Sequence, residues 1–173
     1  MATNFLEQLA AEWYEFNGYF VRRNIFVGKL VAGGHECELD VVAFHPEKRH
    51  LVQVEPSMDA DSWSVREKRF KKKFDAGLKY IPSLFSGFDL PKKIDQVALL
   101  GFAGKKHPEM IGGGRVLVIQ ELIPEILRKL KEYNENNKSI YEQYIILRAL
   151  QLVVTNWKDV IPVLMENGNL TTG

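Results

Sequence analysis

A hairpin with two carboxylates near its open end constrains the fold of this chain more than any other feature. Residues 36–57 read ECELDVVAFHPEKRHLVQVEPS, two apolar strands joined by a short polar turn. If the histidines that flank the turn face each other, antiparallel pairing puts Asp40 opposite Glu55, on the same face of the sheet. A register shifted by one residue would put Pro56, which has no N–H, into the ladder. The hairpin therefore predicts two neighbouring carboxylates at one end of a small sheet.

Composition is that of an ordinary globular protein. The chain has 173 residues, of which 46% are hydrophobic and 26% charged, so we expect one structural domain with a sizeable core. The net charge of +1 says nothing about partners, but the stretch 66–73, REKRFKKK, concentrates positive charge. Nucleic acid is the partner that such a stretch suggests.

Cysteine usage and the N-terminal residues predict a cytoplasmic protein. Cys37 is the only cysteine, which excludes a disulfide within the chain and a cysteine-rich zinc site. The first sixteen residues contain acids and no basic leader, and no apolar run approaches the roughly 20 residues that span a bilayer. We expect a soluble protein without a membrane partner.

Hydrophobic periodicity predicts an α/β fold. Phe5, Leu9 and Trp13 mark a first helix, which is followed by a strand at 19–27 and then by the hairpin. The elements predicted after the hairpin are a helix from about 61 to 80 that Pro82 stops, strands at 94–102 and 116–119, and helices at 121–134 and 140–157. An antiparallel hairpin followed by a crossover helix implies a mixed central sheet of about five strands flanked by helices.

The polar segment around Asn134 suggests that the last helices form an appendage. We predict a core at residues 1–120 and a C-terminal helical extension at 121–173 that packs on it, within one structural domain. The extension is more apolar than a surface helix needs. It either covers the sheet or forms a homodimer interface, and the sequence leaves both open.

Two carboxylates followed by a basic helix suit a divalent cation and a phosphodiester. Mg²⁺ or Mn²⁺ takes oxygen ligands, often one or two carboxylates together with substrate phosphate. The side chains predicted to hold backbone phosphates are Arg66, Lys68, Arg69, Lys71, Lys72 and Lys73. The plainer interpretation is that the acids are solvated or salt-bridged and that the helix only presents a charged face to solvent. Trp63 either belongs to the core or stacks on a base.

Several short motifs resemble those of one nuclease superfamily. The helix FLEQLAAEWYEF carries Glu7 ahead of Gly18-Tyr19, Asp40 in LDVVAF is followed by two hydrophobic residues, and Glu55 is followed by Pro56 and Ser57. Over about residues 4–119 the chain resembles the restriction-endonuclease-like, or PD-(D/E)xK, nucleases of the Mrr type. This resemblance implies Mg²⁺-dependent cleavage of DNA, with Asp40 and Glu55 as metal ligands and Glu7 assisting from the first helix.

The chain departs from this pattern at Ser57, where the superfamily has a lysine at its catalytic centre. A hydroxyl carries no positive charge and cannot replace an ammonium. One explanation is that the lysine has moved to the next helix, where Lys68, Lys72 and Lys73 are the candidates. We include Lys72 and Ser57 among the predicted catalytic residues. Another is that the two acids and a metal suffice. The third is an inactive member of the fold that binds nucleic acid or mediates protein interaction or dimerisation.

Overall fold

The computed structural model describes residues 4–104, 106–136 and 138–166. The chain divides into two compact units, Met1–Leu122 and Ile123–Gly173. The first unit contains the sheet and the second is helical. The division lies two residues from the boundary predicted at 120/121, and the packing of the helical extension on the core stays a prediction.

A six-stranded mixed sheet forms the centre of the first unit. Its strands are β1 Phe20–Lys29, β2 His35–His45, β3 His50–Ser57, β4 Asp95–Leu100, β5 Met110–Ile111 and β6 Gly114–Val118. Their spatial order is β1-β2-β3-β4-β6-β5. Pairing is antiparallel from β1 to β3 and between β5 and β6, and parallel through β3, β4 and β6. The predicted α/β class is therefore confirmed.

The sheet has one strand more than predicted because a short hairpin precedes its last long strand. Ile111 pairs with Gly114, so only Gly112 and Gly113 form the turn. Both have positive φ, 58° and 92°, as a two-residue turn of the favoured hairpin type requires. Two paired residues are too short a strand for alternation to reveal in the sequence.

The helices differ from the predicted ones mainly at their ends. They are α1 Phe5–Phe16, α2 Trp63–Leu84, α3 Ile119–Glu135, α4 Ile145–Thr155 and α5 Trp157–Met165. The prediction that Pro82 stops α2 is wrong, because the proline lies in the last turn, where its missing N–H costs a single helical hydrogen bond. The helix predicted at 140–157 begins only at Ile145 and ends at Thr155, and the short piece predicted before Met165 is α5. No helix in the described ranges is long and apolar enough to cross a membrane.

Both faces of the sheet are buried. Val42 packs in one hydrophobic cluster with Ala76 and Ile81 of α2. Its neighbour Val41 points to the opposite face and is equally inaccessible to solvent. Val41 belongs to β2, one of the strands against which α1 packs. The sheet therefore lies between α1 and α2.

The hairpin has the predicted register, and its ladder stops at Asp40. Pairing between β2 and β3 runs from His45 opposite His50 to Val41 opposite Val54, so the next position in this register sets Asp40 against Glu55. On the other side of β2, the pairing with β1 omits Asp40 and its opposite residue, Asn24, whose φ is 50°. Asp40 thus lies where the ladder is interrupted on both sides.

Candidate active site

A lysine of α2 lies between the two carboxylates. The ammonium nitrogen of Lys73 is 2.6 Å from Oδ1 of Asp40 and 2.7 Å from Oε2 of Glu55. Both distances are those of short, charge-assisted hydrogen bonds. Asp40 comes from β2, Glu55 from β3 and Lys73 from the crossover helix, so three successive elements meet at this point.

A glycine lets α2 approach β3 closely enough for this contact. A Cβ at Gly77 would lie only 1.8 Å from Oε1 and 2.5 Å from Cδ of Gln53. The amide nitrogen of Gln53 donates to the main-chain carbonyl of Lys73 at 3.0 Å and to Oε1 of Glu55 at 2.8 Å. Gln53 therefore fixes the helix backbone and the Glu55 carboxylate together, and no side chain fits at position 77 while it does so.

A second buried amide orients the first. Gln96 of β4 lies opposite Gln53 in the parallel ladder. Its Nε2 donates to the main-chain carbonyl of Phe74 and to Oε1 of Gln53, both at 2.8 Å. Because a main-chain carbonyl can only accept, the bond to Phe74 sets the orientation of Gln96. Gln96 in turn leaves Gln53 with its N–H group directed at Glu55.

Burial and charge together set the protonation of this site. Glu55 is 1% exposed, and burial raises its pKa to about 8, a rise that Asp40 increases and Lys73 opposes. Burial by itself would lower the pKa of Lys73, but Glu55 and Asp40 raise it above its ordinary value. Burial is therefore the main cause of the raised pKa of Glu55, and the charge of Asp40 adds to it.

The residues present fit a divalent cation. With every group ionised, Asp40, Glu55 and Lys73 carry a net charge of −1, which a cation would reverse and so match to an anionic phosphodiester. Asp40 also keeps Oδ2 without a hydrogen-bond partner among the described residues. Those residues contain no group of three or more His, Cys, Asp or Glu that could hold a metal. Two carboxylates are nevertheless within the usual donor set for Mg²⁺, which completes its shell with water and phosphate.

An arginine and an aspartate engage Ser57. Its hydroxyl donates to Oδ2 of Asp59 at 2.9 Å and accepts from Nη2 of Arg69 at 3.1 Å. Burial alone would raise the pKa of Asp59, but hydrogen bonds from Arg69 and Ser57 hold it below its ordinary value. Ser57 is thus held between an aspartate and a guanidinium that also form an ion pair with each other.

The lysine at the carboxylates is Lys73 and not Lys72. Lys72 is exposed and lines a groove of about 470 Å³ with Lys68, Lys71 and Lys79 of α2 and Glu36 of β2. Lys72 therefore belongs with the predicted phosphate-binding side chains rather than with the catalytic ones. Lys73, which we predicted as one of the phosphate contacts, is committed to the carboxylates.

Of the two arginines predicted to contact phosphate, one is buried and the other is occupied. Arg66 is 3% exposed and donates to the main-chain carbonyls of Asp59 and Phe102, so a role as a surface phosphate ligand is wrong. Arg69 keeps about a third of its side chain exposed but bonds Asp59 and Asp61. The available positive charge of α2 is therefore that of its exposed lysines.

Glu7 does not join the carboxylate pair. Its Oε1 lies 2.9 Å from Nη2 of Arg23. Arg23 is directly opposite Val41, so its side chain lies on the face that α1 covers. In the described part of the chain no hydrogen bond or ion pair links Glu7 to Asp40, Glu55 or Lys73. The role that the resemblance implied for Glu7 is not supported by this geometry.

The sequence carries signals for two residues of the site that pattern reasoning did not use. A glycine inside a long helix is unfavourable unless packing requires it, so Gly77, four residues after Lys73, indicates a close contact. Gln96 is a polar residue directly followed by four apolar residues of β4, and a polar residue inside a sheet needs a partner. Gln53, which alternation put on the face of Glu55, is that partner.

The helical unit exposes much apolar surface of its own. Leu152, Trp157, Ile161 and Leu164 are between 43% and 58% exposed, and α5 has no buried residue. This surface fits the homodimer that the sequence left open, and that interface stays a prediction.

Comparisons with family models and with curated proteins give no match. No family model matches the chain, and no curated protein matches it either. The likeness to the restriction-endonuclease-like superfamily therefore rests on the residues described above.

Proposed function

We propose that this protein is a metal-dependent nuclease that cleaves DNA phosphodiester bonds at Asp40, Glu55 and Lys73. The observation that supports it most is the position of Lys73, whose ammonium contacts both carboxylates although the sequence has serine where the superfamily has lysine. Three charged groups from separate elements meet at one end of the hairpin, and a metal nuclease needs this combination of charges.

The roles of the residues follow from their charges and positions. Asp40 and Glu55 would hold Mg²⁺ or Mn²⁺, which when bound polarises a phosphoryl oxygen and lowers the pKa of a coordinated water. Lys73 supplies the fixed positive charge that stabilises negative charge developing on the phosphorus oxygens. Gln53 holds Glu55 in place through its hydrogen bond to Oε1.

The exposed lysines of α2 would hold the nucleic-acid backbone. The groove that Lys68, Lys72 and Lys79 share lies on the same helix as Lys73. Lys79 contacts Glu36 at 2.9 Å, while Lys68 and Lys72 have no ion pair among the described residues. These lysines offer sequence-independent contacts to phosphate, whose strength falls with salt.

Plasmid cleavage tests the proposal. Supercoiled and linear DNA are incubated with the protein and Mg²⁺ or Mn²⁺, with EDTA as the blank, and products are separated on gels. We expect nicked or linear products that require the cation and disappear in Asp40→Asn and Glu55→Gln. Cleavage that persists in both variants would refute the assignment of the site.

The same ion pairs support a second candidate, an inactive member of the fold that binds nucleic acid. Because Lys73 engages both carboxylates, the three side chains also form a closed salt bridge that needs no metal. This candidate predicts salt-sensitive DNA binding without metal-dependent products. Measuring binding and cleavage on the same preparations separates it from the nuclease.

A further inference from the structure

A pocket with two exposed aromatic side chains lies at the carboxyl ends of β3 and β4. Its volume is about 320 Å³, within the range of small-molecule sites, and Trp63, Arg66, Phe102 and Gly104 are among its lining residues. Trp63 and Phe102 are 37% and 57% exposed. A Cβ at Gly104 would meet nothing within 4 Å, so this side of the pocket is open.

The pocket contains a buried cation with an unused hydrogen-bond donor. Arg66 is 3% exposed, and its Nη2 donates to the carbonyls of Asp59 and Phe102. Its Nε has no hydrogen-bond partner in the described structure, and the nearest carboxylate oxygen, of Asp59, is 3.7 Å away. The guanidinium also lies 4.9 Å from the centre of the Trp63 ring. A buried donor without an acceptor is uncommon, and the guanidinium that carries it puts a positive charge in the lining of the pocket.

The pocket lies on the same helix face as the carboxylate site. Arg66 precedes Lys73 by seven residues, which is two turns or about 10 Å along α2. That distance is roughly three nucleotide steps at about 3.4 Å per stacked step. Arg69 lies between them, where it contacts Ser57 and is ion-paired with Asp59 and Asp61.

We propose that this aromatic pocket binds an unpaired nucleobase. This proposal rests on the proposed function, and it makes nucleic acid with a single-stranded segment the preferred substrate of the protein. Aromatic rings stack on the faces of bases, and the carbonyl oxygens and ring nitrogens of bases are attracted to a positive charge such as that of Arg66. In an intact duplex both faces of each base are stacked and its pairing edge is occupied. A duplex therefore reaches the pocket only where a base is unpaired or extruded.

Binding measured in EDTA tests the pocket without cleavage. The probes are fluorescent oligothymidine and a fluorescent duplex of equal length. The proteins are wild type, Trp63→Ala and Phe102→Ala. The matched control is Trp157→Ala, which removes an exposed tryptophan of the other unit. We expect Trp63→Ala to weaken single-strand binding about tenfold, the effect of removing one base-stacking ring. Duplex binding should not change, and Trp157→Ala should bind as wild type. Equal losses of affinity on both probes, or none on oligothymidine, would overturn the proposal.

Intrinsic fluorescence gives a second measurement that needs no change in the pocket. In the Trp157→Ala protein the remaining tryptophans are buried Trp13 and exposed Trp63. Oligothymidine should quench the tryptophan emission of this protein. Absence of quenching at a saturating oligothymidine concentration would overturn the proposal that the pocket binds a base. Metal-dependent cleavage without preference for unpaired strands would overturn it as well and leave the proposed function intact. Selective single-strand binding without cleavage of any substrate would support the pocket and refute the nuclease.

Discussion

Replacing Gly77 by alanine should destabilise the protein, although alanine is the better helix former. The new Cβ would lie 1.8 Å from Oε1 of Gln53, far inside van der Waals contact. Gln53 is fully buried, and the clash forces its amide out of its present position. That movement breaks its hydrogen bonds to Glu55, to Gln96 and to the main-chain carbonyl of Lys73.

The net effect follows from two opposing contributions. Three buried hydrogen bonds left unsatisfied cost roughly 6 kcal/mol together, at about 2 kcal/mol each. Alanine in place of glycine inside a helix returns about 1 kcal/mol. We therefore expect Gly77→Ala to lower the free energy of unfolding by about 5 kcal/mol.

A double-mutant cycle isolates the cause. Urea denaturation followed by far-UV and near-UV circular dichroism gives the stability of wild type, Gly77→Ala, Gln53→Ala and the double variant. In the Gln53→Ala background the clashing atoms are absent, so Gly77→Ala should be neutral or stabilising by about 1 kcal/mol. A Gly77→Ala protein as stable as wild type, or an equal cost in both backgrounds, would refute the proposed contact between α2 and β3.

Three further predictions concern charge and burial. The pKa of Glu55 in the folded protein lies above its ordinary value, so the folded state binds a proton at Glu55 more tightly than the unfolded state does. The contribution of this protonation to stability is therefore lost as pH rises from 4.5 to about 8. Urea denaturation across this range should show a shallower decline in Glu55→Gln, and identical pH profiles would contradict the pKa. Replacing Lys68, Lys72 and Lys79 with glutamine should reduce the slope of log K for DNA binding against log salt concentration by up to about 2.7. This is about 0.9 for each phosphate that is no longer neutralised. An unchanged slope would show that these lysines do not contact the DNA backbone. Burial raises the pKa of the Cys37 thiol, so iodoacetamide should alkylate it more slowly at neutral pH than it alkylates free cysteine, and a rate equal to that of the free thiol would contradict its burial.

The hairpin register could be predicted from sequence because three independent constraints agree. The polar turn, the apolar alternation and the absence of an N–H on Pro56 allow only the pairing in which His45 faces His50. The α/β class follows from the same hairpin and the crossover helix after it. Short-range pattern is sufficient for both, since neither depends on a contact between distant side chains.

The identity of the lysine could not be predicted because it depends on the rotation of α2 over the sheet. Lys72 and Lys73 differ by about 100° around the helix axis, and either rotation leaves lysines on the solvent side. The contact between Gly77 and Gln53 sets this rotation, and it joins residues 24 positions apart in the chain.

Comparing Lys73→Met with Lys72→Met in metal-dependent DNA cleavage tests the central claim most directly. The two variants remove neighbouring charges from the same helix, but only Lys73 contacts Asp40 and Glu55. With both proteins shown to be folded by thermal denaturation, Lys73→Met should cut at least about 100-fold more slowly than wild type, the effect of removing one preorganised charge from an active site. Lys72→Met should retain cleavage at saturating DNA. Equal rates in the two variants, or no cleavage by the wild-type protein with Mg²⁺ or Mn²⁺, would contradict the assignment of Lys73 to a nuclease site.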